Sequence, residues 1–192
     1  FRASDKMTIR LIHEPAFGPV KNPSSGEIAS WITTQKPDIL LEAELHDKRK
    51  IRLIFDAKYR IQSNDDSSED TAGQSGFDRV PDDAINQMHR YRDALIHIDQ
   101  TGNGWSEKSR PVLAAFALYP GWFDEANQIN PYQESIDEIG IGAFPLLPGR
   151  PNLWLQQLLQ LYFGEPKLIE EYGAAVHDRF YVQEAARIAF SG

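Results

Sequence analysis

The chain has 192 residues, enough for one domain of ordinary size with a real core and too few for two generous ones. With 41% hydrophobic and 25% charged residues it has the make-up of a folded globular protein, and no apolar run reaches the ~18 residues that a membrane-spanning helix needs. The absence of cysteine excludes disulfide frameworks, thiolate metal sites and cysteine nucleophiles, and a formal net charge of −8 argues against a protein that coats nucleic acid through a broad basic surface. No signal-peptide pattern is present, so a cytoplasmic location is the expectation. The chain opens on Phe1 and not on Met, which leaves room for a longer protein upstream.

Taken in order, "KMTIRLIHEPAF" alternates at Met7, Ile9 and Leu11 and predicts a half-buried strand that stops near Pro15. A Pro/Ser/Gly turn follows, and "IASWITTQ" predicts a second strand. "DILLEAEL" puts Ile39, Leu41, Ala43 and Leu45 on one face and Asp38, Leu40, Glu42 and Glu44 on the other, and Glu42 and Glu44 are expected to be solvated. The charged "HDKRK" reads as a tight connection to "IRLIFDAKY", which is rich in β-branched and aromatic residues and is expected near the middle of a sheet. The two strands are then antiparallel neighbours in a hairpin.

Seven acids between residues 62 and 83 face Arg79 alone, a local charge of −6 that leaves −2 for the remainder. Residues 62–80 are therefore expected to form a flexible acidic loop, since little there repays the entropy of ordering it; an autoinhibitory flap is the rival reading. From Pro81 a helix is predicted, with Asp82 and Asp83 at the positive end of its dipole and a stripe of Ala84, Met88, Tyr91, Leu95 and Ile98 that would lie on a sheet. "TGNGWSEKSR" reads as a loop, "PVLAAFALYP" and "IGIGAFPLLPG" as strands, and residues 150–192 as a helical C-terminal part with helices at about 152–163 and within 166–190. The fold class that results is α/β, a mixed central sheet flanked by helices rather than a repeating βαβ series.

The chemistry gathers where the apolar strands carry charge. Asp56 and Lys58 share one face of their strand because side chains alternate, and burying either alone would cost several kcal/mol. An ion pair at a frayed strand end would explain them blandly. Asp38 favours a site: in a hairpin the start of one strand meets the end of the next, which brings Asp38 toward Asp56. Two converging carboxylates with one lysine suit a hard divalent cation such as Mg2+, and the lysine could then orient water or neutralise a phosphate.

"KPDILLE", "IFDAKYR" and "INQMHRY" together resemble the PD-(D/E)XK nuclease superfamily, with Pro37-Asp38 as its second motif and Asp56-Ala57-Lys58 as its (D/E)XK. Gln87 and Tyr91 resemble the Q-x-x-x-Y of the McrBC-type and RecB-like branches, and "FALYPG" and "GAFPLLPG" look like further pieces of a bacterial restriction and phage-defence nuclease domain. The resemblance covers residues 36–149 and implies a restriction-endonuclease-like fold and Mg2+-dependent hydrolysis of DNA, with Mn2+ as an alternative ion. It also implies an AAA+ NTPase partner and no membrane. Asp38, Asp56 and the Ala57 carbonyl would hold metal, Lys58 would activate water, and Gln87 and Tyr91 would support the site. A glutamate that family members carry on a preceding helix is left unassigned: Glu14 and Glu27 fall in strand or turn contexts, so either that helix lies upstream of Phe1 or its role is filled differently.

Other candidates carry less. The five histidines lack metal-ligand spacing, no glycine-rich loop leads into a helix, and no serine-nucleophile motif occurs. Trp105, Trp122, Phe123 and Tyr132 flank loops where they could stack on bases or simply pack, and Arg60, Arg90, Arg92 and Lys48 could touch phosphates. Two rival functions stay open: an inactive module of this fold that holds DNA or docks a partner, and a nuclease directed at RNA.

Overall fold

The computed structural model describes residues 2–4, 7–19, 27–45, 48–61, 78–100 and 106–164. In chain order its elements are β1 (Arg2–Ser4), β2 (Met7–His13), β3 (Ile28–Ser30), β4 (Ile39–Leu45), β5 (Lys50–Ala57), α1 (Asp82–Ala94), β6 (Leu95–Gln100), β7 (Ser106–Ser109), β8 (Ala114–Tyr119), α2 (Gln133–Ile139), β9 (Ile141–Pro145) and α3 (Leu153–Phe163). Six strands form a mixed sheet in the order β1-β2-β4-β5-β8-β9. The first three pairings are antiparallel, whereas β5, β8 and β9 run parallel to one another. β3, β6 and β7 make a second, smaller sheet. This is the α/β, restriction-endonuclease-like architecture expected from the sequence. No described helix is long and apolar enough to cross a membrane.

The predicted hairpin is present, with Ile39 opposite Phe55 and Glu44 opposite Lys50. β5 lies between β4 and β8, and all its residues from Ile51 to Asp56 are buried, as its continuous apolar run requires. α1 packs across β8, β9 and β5. Ala84, Met88 and Tyr91 form its buried stripe, and Ala115, Ala117 and Ala143, all fully buried, share the sheet face of Asp56 and leave room for the helix. On the other face Phe55, Phe116 and Phe144 stack in series, with ring centroids 5.6 and 5.3 Å apart. Each ring so buried contributes about 1.5–3 kcal/mol of transfer free energy. Gly142 faces α2, where a Cβ would stand 2.4 Å from the Ile136 side chain, so β9 and α2 touch only because that residue has none. α3 buries Trp154, Leu155, Leu158 and Tyr162, and Trp154 stacks on Phe123 at 5.3 Å.

The structure departs from the sequence pattern at five places. The helix from Pro81 ends at Ala94: Leu95 takes an extended conformation, and Leu95–Gln100 is a strand held between β3 and β7. Leu95 and Ile98 are buried as the stripe implied, but through the small sheet, whose pairing suits the β-branched Ile96 and Ile98 better than another helical turn. Part of the expected loop at 101–110 is β7, and only Ile28–Ser30 of "IASWITTQ" is strand. α2 was not anticipated; seven residues are too few for a clear periodicity, and Gly140 ends it with φ of 66°. Glu42 is not solvated: it is buried, with Arg52 Nε donating to its Oε2 at 2.8 Å and Arg10 and Lys50 at 3.4 and 3.6 Å from Oε1. The row forms because Arg10, Glu42 and Arg52 lie in register across β2, β4 and β5. Most of the acidic loop and any helix within 166–190 lie outside the described residues.

Candidate active site

Asp56 sits at the carboxyl end of β5 and is buried, 4% exposed, in register with Ala117 of β8. A carboxylate in such a place needs partners on both oxygens, and it has them. The Tyr91 hydroxyl lies 2.9 Å from Oδ1, and the Lys58 ammonium contacts Oδ2 in a short ion pair. Lys58 reaches it because the backbone stays extended one residue past β5, where the Lys58 amide donates to the Leu118 carbonyl at 2.7 Å. Both side chains therefore fall on one side, as their spacing of two predicted.

Asp38 lies just ahead of β4. Extending the register of Ile39 with Phe55 by one residue sets it opposite Asp56, and its Oδ2 accepts the Ala57 amide at 2.6 Å. The carbonyl of Asp38 accepts the Glu14 amide at 2.7 Å, which fastens the residue to the end of β2 as well. Ala57 is the last residue of β5, and the neighbouring Pro37 has no N–H with which to close a ladder bond on its carbonyl.

α1 supplies the third side. One turn separates Gln87 from Tyr91, and the Gln87 side chain lies near enough to the Tyr91 phenol to favour its ionised form, a minor effect beside those that oppose it. The single phenolic proton is shared between Asp56 Oδ1 and the Lys36 carbonyl, 3.0 Å away. Burial first, and then the negative charge of Asp56, push the Tyr91 hydroxyl well above the ordinary tyrosine range, with Asp38 adding in the same direction. Tyr91 is thus fixed as a neutral donor, and both carboxylates are near enough to feel it.

The structure brings together all the residues singled out from the sequence: Asp38, Asp56, Ala57, Lys58, Gln87 and Tyr91. Sequence reasoning missed the backbone of Lys36 and Glu14, which brace Tyr91 and Asp38 through main-chain atoms that no side-chain pattern announces. Glu14 itself turns with φ of 48° and aims its exposed carboxylate at His13, 3.7 Å away, and among the described residues no three Asp, Glu or His side chains converge. The outlying cations pair elsewhere: Arg60 with Asp83 at 2.9 Å, Lys48 with Glu44 at 2.9 Å, and Arg92 with the Ile139 carbonyl. Of the loop aromatics, Phe123 and Tyr132 are built into the body, Trp122 stays half exposed, and Trp105 lies outside the described residues.

Two carboxylates and a lysine thus meet on a hairpin that feeds a parallel sheet and is roofed by one helix, on a restriction-endonuclease-like fold. A family model of the PD-(D/E)XK nuclease superfamily matches residues 1–124, about two thirds of the chain, and the chain belongs to that superfamily. The match takes in β1 and β2 ahead of the stretch that the motifs suggested and stops short of α2 and β9. No curated protein and no solved structure matches the chain.

Proposed function

We propose that the chain is a divalent-metal-dependent endonuclease domain that hydrolyses DNA, acting in the cytoplasm in restriction or phage defence beside an AAA+ NTPase. The observation that carries the enzymatic part is the convergence of Asp38, Asp56 and Lys58, with both carboxylates held by bonds that fix their direction. Membership of the superfamily supports nuclease chemistry. The restriction and NTPase part rests on the Gln87-x-x-x-Tyr91 motif and its place on α1.

The donor set fits a hard cation: two carboxylates and the carbonyl at the end of β5, without thiol or imidazole competitors. Asp38, Asp56 and the Ala57 carbonyl would hold Mg2+ or Mn2+. When bound, the ion supplies Lewis-acid stabilisation of the charge that builds on a phosphate under attack. The chain's own groups do the rest. Tyr91 keeps one oxygen of Asp56 turned away from solvent and stays protonated, so the carboxylate direction is constant across neutral pH. The Ala57 amide does the same for Asp38. Lys58 stands with its ammonium at the mouth of the pair, where it can orient the attacking water and balance the phosphate charge.

The test is digestion of labelled DNA and RNA by the purified protein with Mg2+ or Mn2+, with and without its NTPase partner. We expect cleavage of DNA that falls at least a thousandfold, of order 4 kcal/mol in the barrier, in Asp56→Asn. Cutting that is unchanged in Asp56→Asn would refute the assignment, and preferred cutting of RNA would move it to the other substrate.

A further inference from the structure

The strand directions place more than the acidic pair at one edge of the large sheet. β5, β8 and β9 all end there, and β4 begins there, so the segment after Lys58, the segment after Tyr119 and the segment after Pro145 lie side by side along that edge. Adjacent strands are about 4.8 Å apart, so these three strand ends span roughly 10 Å. The carboxyl edge of parallel strands is where ligands of open α/β sheets bind.

This edge carries apolar surface that the core does not use. Tyr59, the residue after Lys58, is 92% exposed; Trp122, three residues past the end of β8 and two past Pro120, is 53% exposed; Leu146, directly after β9, is 41% exposed. Trp122 is nevertheless anchored, because its amide donates to Asp78 Oδ2 at 2.9 Å, and the Leu146 amide donates to the Tyr119 carbonyl at 2.7 Å. Tyr59 and Trp122 are thus two exposed aromatic rings on segments that leave the same sheet edge as the buried charged pair. With a net charge of −8 the chain also lacks the broad basic surface from which a duplex binder draws most of its affinity.

We propose, resting on the nuclease reading above, that Tyr59 and Trp122 are stacking platforms for unpaired bases, and that the strand cut at Asp38 and Asp56 is single-stranded DNA or the frayed end of a duplex. An exposed aromatic face takes any base, but only where pairing does not hide it. Tyr59 adjoins the lysine that would meet the scissile phosphate, so a base stacked on it belongs to a nucleotide next to the cut. Trp122, one strand further along the edge, receives a neighbouring base.

The test is fluorescence anisotropy in EDTA, which permits binding without cleavage, on a labelled DNA strand of about 20 nucleotides and the matching duplex. We expect the single strand to bind at least about tenfold more tightly than the duplex. Tyr59→Ala and Trp122→Ala should each weaken single-strand binding about fivefold or more, with the thermal midpoint unmoved and the salt dependence unchanged, because stacking releases no counterions. Tyr59→Phe should retain wild-type binding. An abasic oligonucleotide should bind the wild type as weakly as the variant with both Tyr59→Ala and Trp122→Ala binds the intact one. A duplex bound as tightly as the single strand, or wild-type affinity in both alanine variants, overturns the proposal. Failure of the nuclease reading looks different: it is loss of metal-dependent cleavage on every DNA, which this binding comparison does not measure.

Discussion

Lys58 occupies the position that an incoming cation needs. Its ammonium sits on Asp56 Oδ2 while Tyr91 covers Oδ1, so under the proposed metal binding an incoming ion would compete with the lysine for this buried carboxylate. A hydrogen bond to a charged group is worth about 1.5–3 kcal/mol, or tenfold and more in affinity. Lys58→Met should therefore abolish cleavage and at the same time tighten Ca2+ or Mn2+ binding by about tenfold, read by calorimetric titration. Weaker binding in the variant would mean that the lysine helps to assemble the metal site instead of guarding it. Both charged residues of the Asp56-x-Lys58 motif were legible from the sequence, because charge inside a β-branched run is an anomaly that periodicity exposes. Their braces were not: the Lys36 carbonyl and the Glu14 amide act through backbone atoms that every residue possesses.

At the scale of elements, the hairpin of β4 and β5 holds both the site and, some 13 Å further along β5, the buried Glu42–Arg52 pair with the exposed Arg10 beside it. Its Glu42–Arg52 pair is almost fully enclosed, with both side chains below a tenth exposed. Removing one partner strands a charge in the interior. Glu42→Ala should cost about 3–5 kcal/mol in denaturant unfolding, whereas Glu42→Leu combined with Arg52→Met should recover most of that loss. A small effect of Glu42→Ala would show that water or the nearby Lys50 compensates. Alternation along "DILLEAEL" puts Glu42 on a polar face, which local pattern alone makes solvated; only pairing with Arg52, ten residues away, buries it. The end of α1 was illegible for a related reason. Leu95 and Ile98 continue a helical stripe in sequence, and the partners that draw them into a strand, β3 and β7, lie far off in the chain or are too polar to announce themselves. Long-range pairing overrides local pattern at both places.

Across the whole molecule, the tyrosines link stability to pH. Tyr91, Tyr119 and Tyr132 all have hydroxyls pushed above the usual range, burial being the first cause in each. The unfolded chain releases these protons near pH 10, before the folded protein does, so between those points the folded state binds more protons and stability falls as pH rises. Below about pH 10 the contribution is fully present. Urea unfolding should thus show little phenol-linked change from neutral pH to about 9 and a progressive loss above 10, and Tyr132→Phe should blunt it. A midpoint that does not move above pH 10 would contradict the burial of these groups.

The architecture also ties the three scales together, since the hairpin, the parallel strands and α1 meet only at the edge where Asp38 and Asp56 face each other. Anomalous scattering from crystals soaked in Mn2+ tests that claim most directly. One peak shared by the carboxylates of Asp38 and Asp56 is expected, with the Ala57 carbonyl beside it, and loss of the peak in Asp38→Ala. A peak elsewhere, or an undisturbed Lys58–Asp56 contact at saturating metal, would contradict it.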